Sequence, residues 1–531
     1  MVLLRSGAVE EVVEQLLTLI TALQSLNDRQ AIRIDKLLKR QFGRQSEKMS
    51  SEQLSLFLNE LSRVATGDEE DEGEDSPEAK EEEKFIRLKT EELRKLKKER
   101  RSRRKRPGRN SFPDSLPRDE PIILKVPAEE IACPCCGDER RVFDHDESEV
   151  LEFVAAHFKV KVYRREKRAC SKCSELVMGP VAKKPIEKGI PGPGLLAHVV
   201  VNKYQDSQPL NRLSGIYERH GVRISSSTLG HWIAKVCDIL VPLYFCLHKL
   251  VIASQVLGCD DTPILVLDRK QPKNTRKGRI WAYVGYEDGI PIRAIFDFTP
   301  TWEGKHPRKF LKDRRGYLQS DGYPGLNPLF KGEDADCINV GCMAHNRRYY
   351  VDTLDAGDNR AAYAVKIIKH LYRIEEIATL EERPPEERKA ARQEFSKPAL
   401  ERLGRWAVKE YPKAEPGTPF YSALTYTINQ WASLNVYLED GSIPIDNTGV
   451  ERALRVAALG RKNYLFVGSD EGGRRAAMMY SFMSSCRLLG IDPLAWLTDV
   501  LDKLTSGWLQ SRLHELLPEN WTPPNSDAYG S

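Results

Sequence analysis

The chain has 531 residues, of which 30% are charged and 40% hydrophobic, with a formal net charge of +5. That length accommodates several domains and at least one sizeable core, while no stretch approaches the roughly 18 consecutive apolar residues of a membrane-spanning helix. Met1 to Gly7 carries no apolar run with a small-residue cleavage site, so no secretory signal is expected. With 11 cysteines in so long a chain, clustered thiols point to metal rather than to a disulfide scaffold.

Residues 1–66 read as helix, from about position 8 onward. Leu16, Leu19, Leu23 and Leu26 keep an a/d seam for two heptads, and Gln30 and Arg33 then interrupt it. A short oligomerising coiled coil and an amphipathic helix packed on its own chain both fit this pattern. Residues 67–110 reverse charge abruptly. The stretch from Gly67 to Glu83 is acidic and has almost nothing to bury, so a disordered linker is expected. Between Lys84 and Arg109 the run is basic and includes Arg103, Arg104 and Arg106. Such a run can neutralise DNA phosphates and release their counterions. A solvated helix, partly neutralised by its acidic neighbour, is the alternative.

Residues 111–190 hold two C-x-x-C knuckles, Cys133 with Cys136 and Cys170 with Cys173. Four thiolates presented by two tight turns suit one tetrahedral structural Zn²⁺ and leave no open position for catalysis. Lys161, Arg164, Arg165, Lys167, Arg168 and Lys172 surround the second knuckle, as suits a module facing nucleic acid. Residues 191–250 read as helical. Leu210–His220, the turn at Gly221-Val222, and Ser225–Cys237 outline two helices with a serine cap. The pair fits a DNA-reading helix-turn-helix, and it fits a plain helical hairpin equally.

Residues 251–358 alternate short strands with turns, followed by a polar helical insertion at 359–445, a helical segment at 446–490 and a helical tail at 491–531. Val256–Asp260 reads as a buried strand ending in the acid pair Asp260-Asp261. Alternation lets only one of the two face a given site. Arg279–Tyr286 and Pro291–Asp297 read as a hairpin joined by Asp288-Gly289. Gly316–Ser320 ends at Asp321, and Ile338–Gly341 runs into a helix from Met343. This order is close to that of a ribonuclease-H-like mixed sheet. Carboxylates at adjacent strand ends can hold two divalent ions about 3.5–4 Å apart. A third acid, Glu451, sits on the helical segment with Asn447 one turn before it and Arg455 one turn after.

Five ordered motifs now coincide: Asp260-Asp261-Thr-Pro; Gln319-Ser-Asp321-Gly-Tyr323; Cys342-Met-Ala-His345-Asn-Arg347-Arg348; Asn447-x-x-x-Glu451-Arg-Ala-Leu-Arg455; and Gly460-Arg-Lys-Asn-Tyr-Leu-Phe-x-Gly-Ser469. Together they resemble the bacterial transposases of the insertion sequence 66 family, over nearly the whole chain. Phe42-Gly-Arg44 to Lys48 and Cys133-Pro-Cys-Cys136-Gly resemble that family's N-terminal and zinc segments. The resemblance implies a DDE transposase in which Asp260, Asp321 and Glu451 bind two Mg²⁺ or Mn²⁺ ions, and DNA is cut and joined without a covalent enzyme intermediate. The family usually has Glu where this chain has Asp261. Cys342 and His345 resemble a Cys-x-x-His signature and are read as structural. Arg452, Arg455, Arg461 and Lys462 are placed to meet phosphates.

The expected fold is thus multidomain α+β: an N-terminal helix or coiled coil, a four-cysteine zinc module, a helical DNA-binding segment, and a ribonuclease-H-like mixed α/β catalytic domain with a helical insertion. The expected partners are transposon-end and target DNA, a second copy of the chain and accessory transposition proteins, with no membrane. The expected setting is cytoplasmic and nucleoid-associated. Two rival functions stay open: a ribonuclease-H-fold nuclease that cuts without joining, and a catalytically inactive zinc-containing DNA-binding protein.

Overall fold

The structure, a computed structural model, describes residues 77–103, 158–164, 166–169, 176–178, 181–187, 189–331 and 336–523. The expected coiled coil, Arg104, Arg106 and the four knuckle cysteines Cys133, Cys136, Cys170 and Cys173 lie outside the described residues, as does the side chain of Arg103.

Helix α1 (Pro77–Arg103) takes in the end of the acidic stretch expected to be a linker and most of the basic run, for which a helix is one of the two readings. Strands β1 (Lys167–Ala169) and β2 (Leu176–Met178) form an antiparallel pair on either side of the second knuckle. Helices α2 (Pro193–Tyr204), α3 (Leu210–Arg219) and α4 (Ser226–Ile252) lead into the long strand β3 (Val256–Leu267). Strands β4 (Thr275–Glu287) and β5 (Ile290–Thr299) follow, then α5 (Lys305–Phe310), β6 (Gly316–Gln319), β7 (Cys337–Val340) and α6 (Met343–Asp355). Residues 359–445 hold α7 (Ala361–Leu380), α8 (Pro385–Ala391), α9 (Lys397–Glu410), α10 (Pro419–Asn429) and α11 (Trp431–Asn435). Helices α12 (Thr448–Tyr464), α13 (Asp470–Leu488) and α14 (Pro493–Ser506) complete the described fold.

The core is a five-stranded mixed sheet in the order β5-β4-β3-β6-β7. β4 runs antiparallel to both of its neighbours, β3 and β5, and β3, β6 and β7 run parallel. The β4–β5 turn is Asp288-Gly289, both at positive φ (50° and 79°), as a two-residue hairpin of this hand requires. Ile280 to Val284 are all buried, because helices cover both faces of the sheet. The outer edge of β5 is sealed by α13: Phe296 N donates to Ser481 Oγ (2.8 Å) and Ala294 N to Ser485 Oγ (3.1 Å). These hydroxyls satisfy backbone groups that would otherwise template pairing with another chain.

β3 does not stop at its acid pair. It continues through Pro263 to Leu267, paired to β4 along its whole length. Proline is tolerated there because β6 covers only the first three residues of the other edge, Val256 to Gly258, so no ladder donor is missing. Farther out that edge is met by Val467, whose N–H donates to Leu265 O (2.9 Å) and whose carbonyl accepts from Leu267 N (2.8 Å).

The helix pair α3–α4 forms as expected, with Ser225 Oγ capping α4 by accepting from Thr228 N (3.1 Å). α4 runs on to Ile252, and its buried stripe from Leu229 to Val251 joins the main core. α1 docks on α7: Ile86 is buried against Ile374 and Ile377, flanked by Leu93 and Phe395. Glu83 meets Lys366 and Arg373, Lys89 meets Glu381, and Arg94 meets Glu376. The spacing of Ile86, Thr90 and Leu93 makes a narrow inward stripe, which the density of charge along this stretch conceals. Lys95 and Lys98 stay exposed. Among the described residues no helix is long and apolar enough to cross a membrane.

Asp297, beside Trp281 in the β4–β5 pairing, is a half-buried acid whose desolvation pushes its carboxyl up to about 7, against the Phe298 N–H, Arg474 and Lys309. An acid bound more tightly to its proton in the folded chain makes stability fall as pH rises from about 4 to about 7, and level off above. Asp297→Asn should therefore melt with wild type near pH 4 and at least about 2 °C above it at pH 8. Thermal melts across that range read the difference.

Candidate active site

The parallel register of β3 and β6 decides which residues meet. Gly258 lies beside Gln319, so continuing the register by two residues sets Asp260 alongside Asp321. Asp321 follows the end of β6 by two residues, and its Oδ1 accepts from Tyr323 N (3.1 Å). Arg314 fixes that register. Its buried guanidinium donates to the carbonyls of Ile252 (3.1 Å), Ser254, Gln255 (2.8 Å) and Tyr317 (2.5 Å), which fastens the start of β3 to the start of β6. Burial lowers that guanidinium to about 10.

Alternation then separates the acid pair. Gly258 and Asp260 share a face of β3, and a Cβ on Gly258 would lie 2.5 Å from Val450 Cγ2 and 2.6 Å from Asn447 Oδ1. Helix α12 therefore lies on the Asp260 face, and this close approach is what the glycine permits. Asn447 stands at the N-terminus of α12, is fully buried, and donates from Nδ2 to Cys259 O (2.9 Å) and from its backbone N–H to Cys342 Sγ (3.2 Å). One turn later stands Glu451. Asp261 belongs to the opposite face. Its Oδ2 accepts from Arg279 Nη1 (2.8 Å) and its Oδ1 from Trp302 Nε1 (3.0 Å).

The electrostatics follow this division. Burial, with the charges of Asp321, Asp261 and Glu451 adding to it, pushes Asp260 up to about 7 against the hydrogen bond from Asp261 N. Burial also raises Asp261, but Arg279 and Trp302 oppose the rise. Glu451 Oε1 is held by Arg348 Nη2 (3.0 Å) with His345 Nε2 3.8 Å away. His345 is lowered, first by burial and then by Arg348. Cys342 is buried and its thiol is pushed up to about 12, which fits a structural role.

Among the described residues no three His, Cys, Asp or Glu side chains are gathered as a ready-made metal cluster. Asp260 and Asp321 come together; Glu451 is within electrostatic reach of Asp260 but is engaged with Arg348. The donor set nonetheless fits a hard divalent cation. It consists of carboxylate oxygens, and the acids crowd negative charge around Asp260, which a cation would neutralise. Arg452, Arg455 and Lys462 are exposed on α12, whereas Arg461 is half-buried and donates to Pro263 O. Spacing along the chain does not reveal Arg348, Arg314, Arg279 or Trp302. Each works through a partner far away in sequence, and only the Arg347-Arg348 pair inside the Cys342 motif hinted at one of them.

The model of the Transposase IS66 family matches residues 188–475, and that of the IS66 C-terminal element matches 481–518. Two further models match, the zinc-finger binding domain of transposase IS66 over 130–174 and the Transposase C of IS166 homeodomain over 31–120. The uncharacterized protein y4hP of Sinorhizobium fredii (strain NBRC 101917 / NGR234) is 33% identical over 513 residues, covering 92% of this chain and 88% of that protein. The uncharacterized protein y4jD of the same strain is 32% identical over 421 residues, covering 77% and 81%. All four matched regions are regions of transposases, a class of DNA-processing proteins. The chain belongs to the IS66 transposase family.

Gly258→Ala tests the approach of α12. Overpacking against Val450 and Asn447 should cost about 1–3 kcal/mol of stability, read as a lowered denaturant midpoint. Gly221→Ala, where a Cβ meets nothing within 4 Å but φ is +81°, serves as a comparison in which only backbone strain acts.

Proposed function

We propose that this transposase works by DDE chemistry, with Asp260, Asp321 and Glu451 as the catalytic carboxylates holding two Mg²⁺ or Mn²⁺ ions. The observation that carries the reading is the approach of Asp260, inside β3 just beyond its pairing with β6, to Asp321, just beyond the end of β6, with the helix of Glu451 packed on the same face. Three antiparallel strands followed by two parallel ones, flanked by helices, also support a ribonuclease-H-like catalytic core with 359–445 as its helical insertion.

When bound, the ions would supply Lewis-acid activation of a water, then of the freed 3′ hydroxyl, and stabilise the leaving oxygen. The chain's own residues prepare that chemistry. Asp260 must give up its proton to become a ligand. Glu451 must release Arg348, an exchange that costs little because Arg348 is more than half exposed and exposed ion pairs are weak. The released guanidinium, with Arg452, Arg455 and Lys462, then faces the phosphate backbone. Cutting exposes a 3′ hydroxyl, and the same site directs it onto target DNA.

In this reading Cys133, Cys136, Cys170 and Cys173 hold one structural Zn²⁺. The 1–66 segment brings two copies together as a coiled coil, and the exposed basic face of α1 tracks DNA. Accessory transposition proteins complete the assembly, and the setting is the cytoplasm and its nucleoid.

Asp260→Ala, Asp321→Ala and Glu451→Ala should each drop Mg²⁺-dependent cleavage and joining of the element's own ends below detection, with DNA affinity within about threefold of wild type. Gel assays of cleavage and strand transfer read both steps. Full activity in any one variant removes that residue from the site, and cleavage without joining in wild type would identify a nuclease.

A further inference from the structure

Asp261, the acid turned away from Glu451, holds a second feature. Trp302 follows β5 and half of its surface (50%) is exposed, whereas Trp281 and Trp496 are buried at 1% and 0%. Its indole N–H is tied to Asp261 Oδ1 at 3.0 Å, and its carbonyl accepts from Tyr323 Oη at 2.5 Å. Its ring stacks on Tyr323 at 4.8 Å and 24°, and the Arg279 guanidinium lies 4.4 Å from the indole centroid. Arg279 is itself paired to Asp261. Tyr323 in turn hydrogen-bonds through its backbone to Asp321. The three groups are therefore anchored through Asp261 and Asp321.

A tryptophan that served only to pin a loop would gain most from burial. This one is held by two hydrogen bonds and a stack and still presents its surface to solvent, so its orientation is fixed before any ligand arrives. Asp261 is paired with Arg279, so its own charge is balanced where a polyanion would approach. Beyond Arg279 the same strand leads to the exposed Lys277, and the adjoining turn carries Lys273 and Lys270.

We propose that the Tyr323–Trp302–Arg279 stack is a binding site for one unpaired nucleobase of the DNA strand that is cut. The base extends the stack beside the carboxylates, and its phosphate meets the basic strand and turn. Every nucleobase has a π-face, so the site takes purines and pyrimidines alike. Asp261 is a positioning residue: it orients Trp302 and Arg279 and does not touch the DNA. The inference rests on the DDE reading for the place of the cut, but binding itself needs no metal.

The test uses the full chain in EDTA with a 20-base-pair duplex carrying a five-nucleotide single-stranded tail, and the same duplex blunt-ended. 2-Aminopurine at the first unpaired position should be quenched on binding, and the tailed duplex should bind about tenfold tighter than the blunt one. Trp302→Ala should abolish the quenching and the tenfold preference while blunt-duplex affinity holds, and Trp302→Phe should restore most of both. Asp261→Ala should weaken both. In wild type, 5-iodouracil at the same position should photocrosslink to a peptide containing Trp302 or Tyr323, a readout that does not depend on a variant folding. Unchanged quenching and preference in Trp302→Ala, no preference in wild type, or a crosslink elsewhere overturns the proposal. Quenching without Mg²⁺-dependent cleavage of the element's ends by wild type would leave the stacking site standing and defeat the DDE reading instead.

Discussion

The site depends on a short parallel pairing, three residues of β3 against three of β6. So few ladder bonds fix a register weakly, and a slip of one residue would turn every side chain to the other face. Arg314 supplies the missing constraint by binding carbonyls on both sides of the junction with a buried, charged guanidinium. Charge-assisted bonds of this kind are stronger than neutral ones. Without them nothing holds Asp260 of β3 beside Asp321 past the end of β6. With the register set, the missing side chain at Gly258 admits α12, and Asn447 locks that helix to the backbone of β3 and to the thiol of Cys342.

A consequence is that negative charge is gathered and then only partly balanced. On one face Arg279 neutralises Asp261, and on the other Arg348 answers Glu451 across the site. Among the described residues Asp260 has no cationic side chain as a hydrogen-bond partner, and burial raises its carboxyl to about 7. A half-buried carboxyl crowded by like charges either keeps its proton or acquires a cation. The arrangement thus divides the labour of two adjacent acids by the faces of one strand: Asp260 toward the other carboxylates, Asp261 toward an aromatic layer.

Much of this was legible in the sequence, for identifiable reasons. The hairpin turn at Asp288-Gly289 needs positive φ, the serine at 225 caps a helix, and the acids stand where apolar strand runs end. Such signals are local, so a sequence displays them. The docking of α1 was hidden because three inward residues are outvoted by the charges around them. The continuation of β3 past Pro263 was hidden because an edge left free by a short neighbour cannot be seen in the strand itself. Arg348 and Glu451 are separated by 103 residues, and Trp302 meets Asp261 across 41. No spacing rule links such pairs, so the charges that restrain the carboxylates and the aromatic layer behind them emerge only from the fold.

The central claim is that Asp260, Asp321 and Glu451 share one metal site. Replacing Mg²⁺ with Fe²⁺ and generating radicals with ascorbate and peroxide cuts a polypeptide next to the bound ion. Mass spectrometry of the full-length protein treated in this way should map cuts near residues 260, 321 and 451, all suppressed together by excess Mg²⁺. Cuts confined to one of the three regions, or falling elsewhere in the chain, would contradict the account.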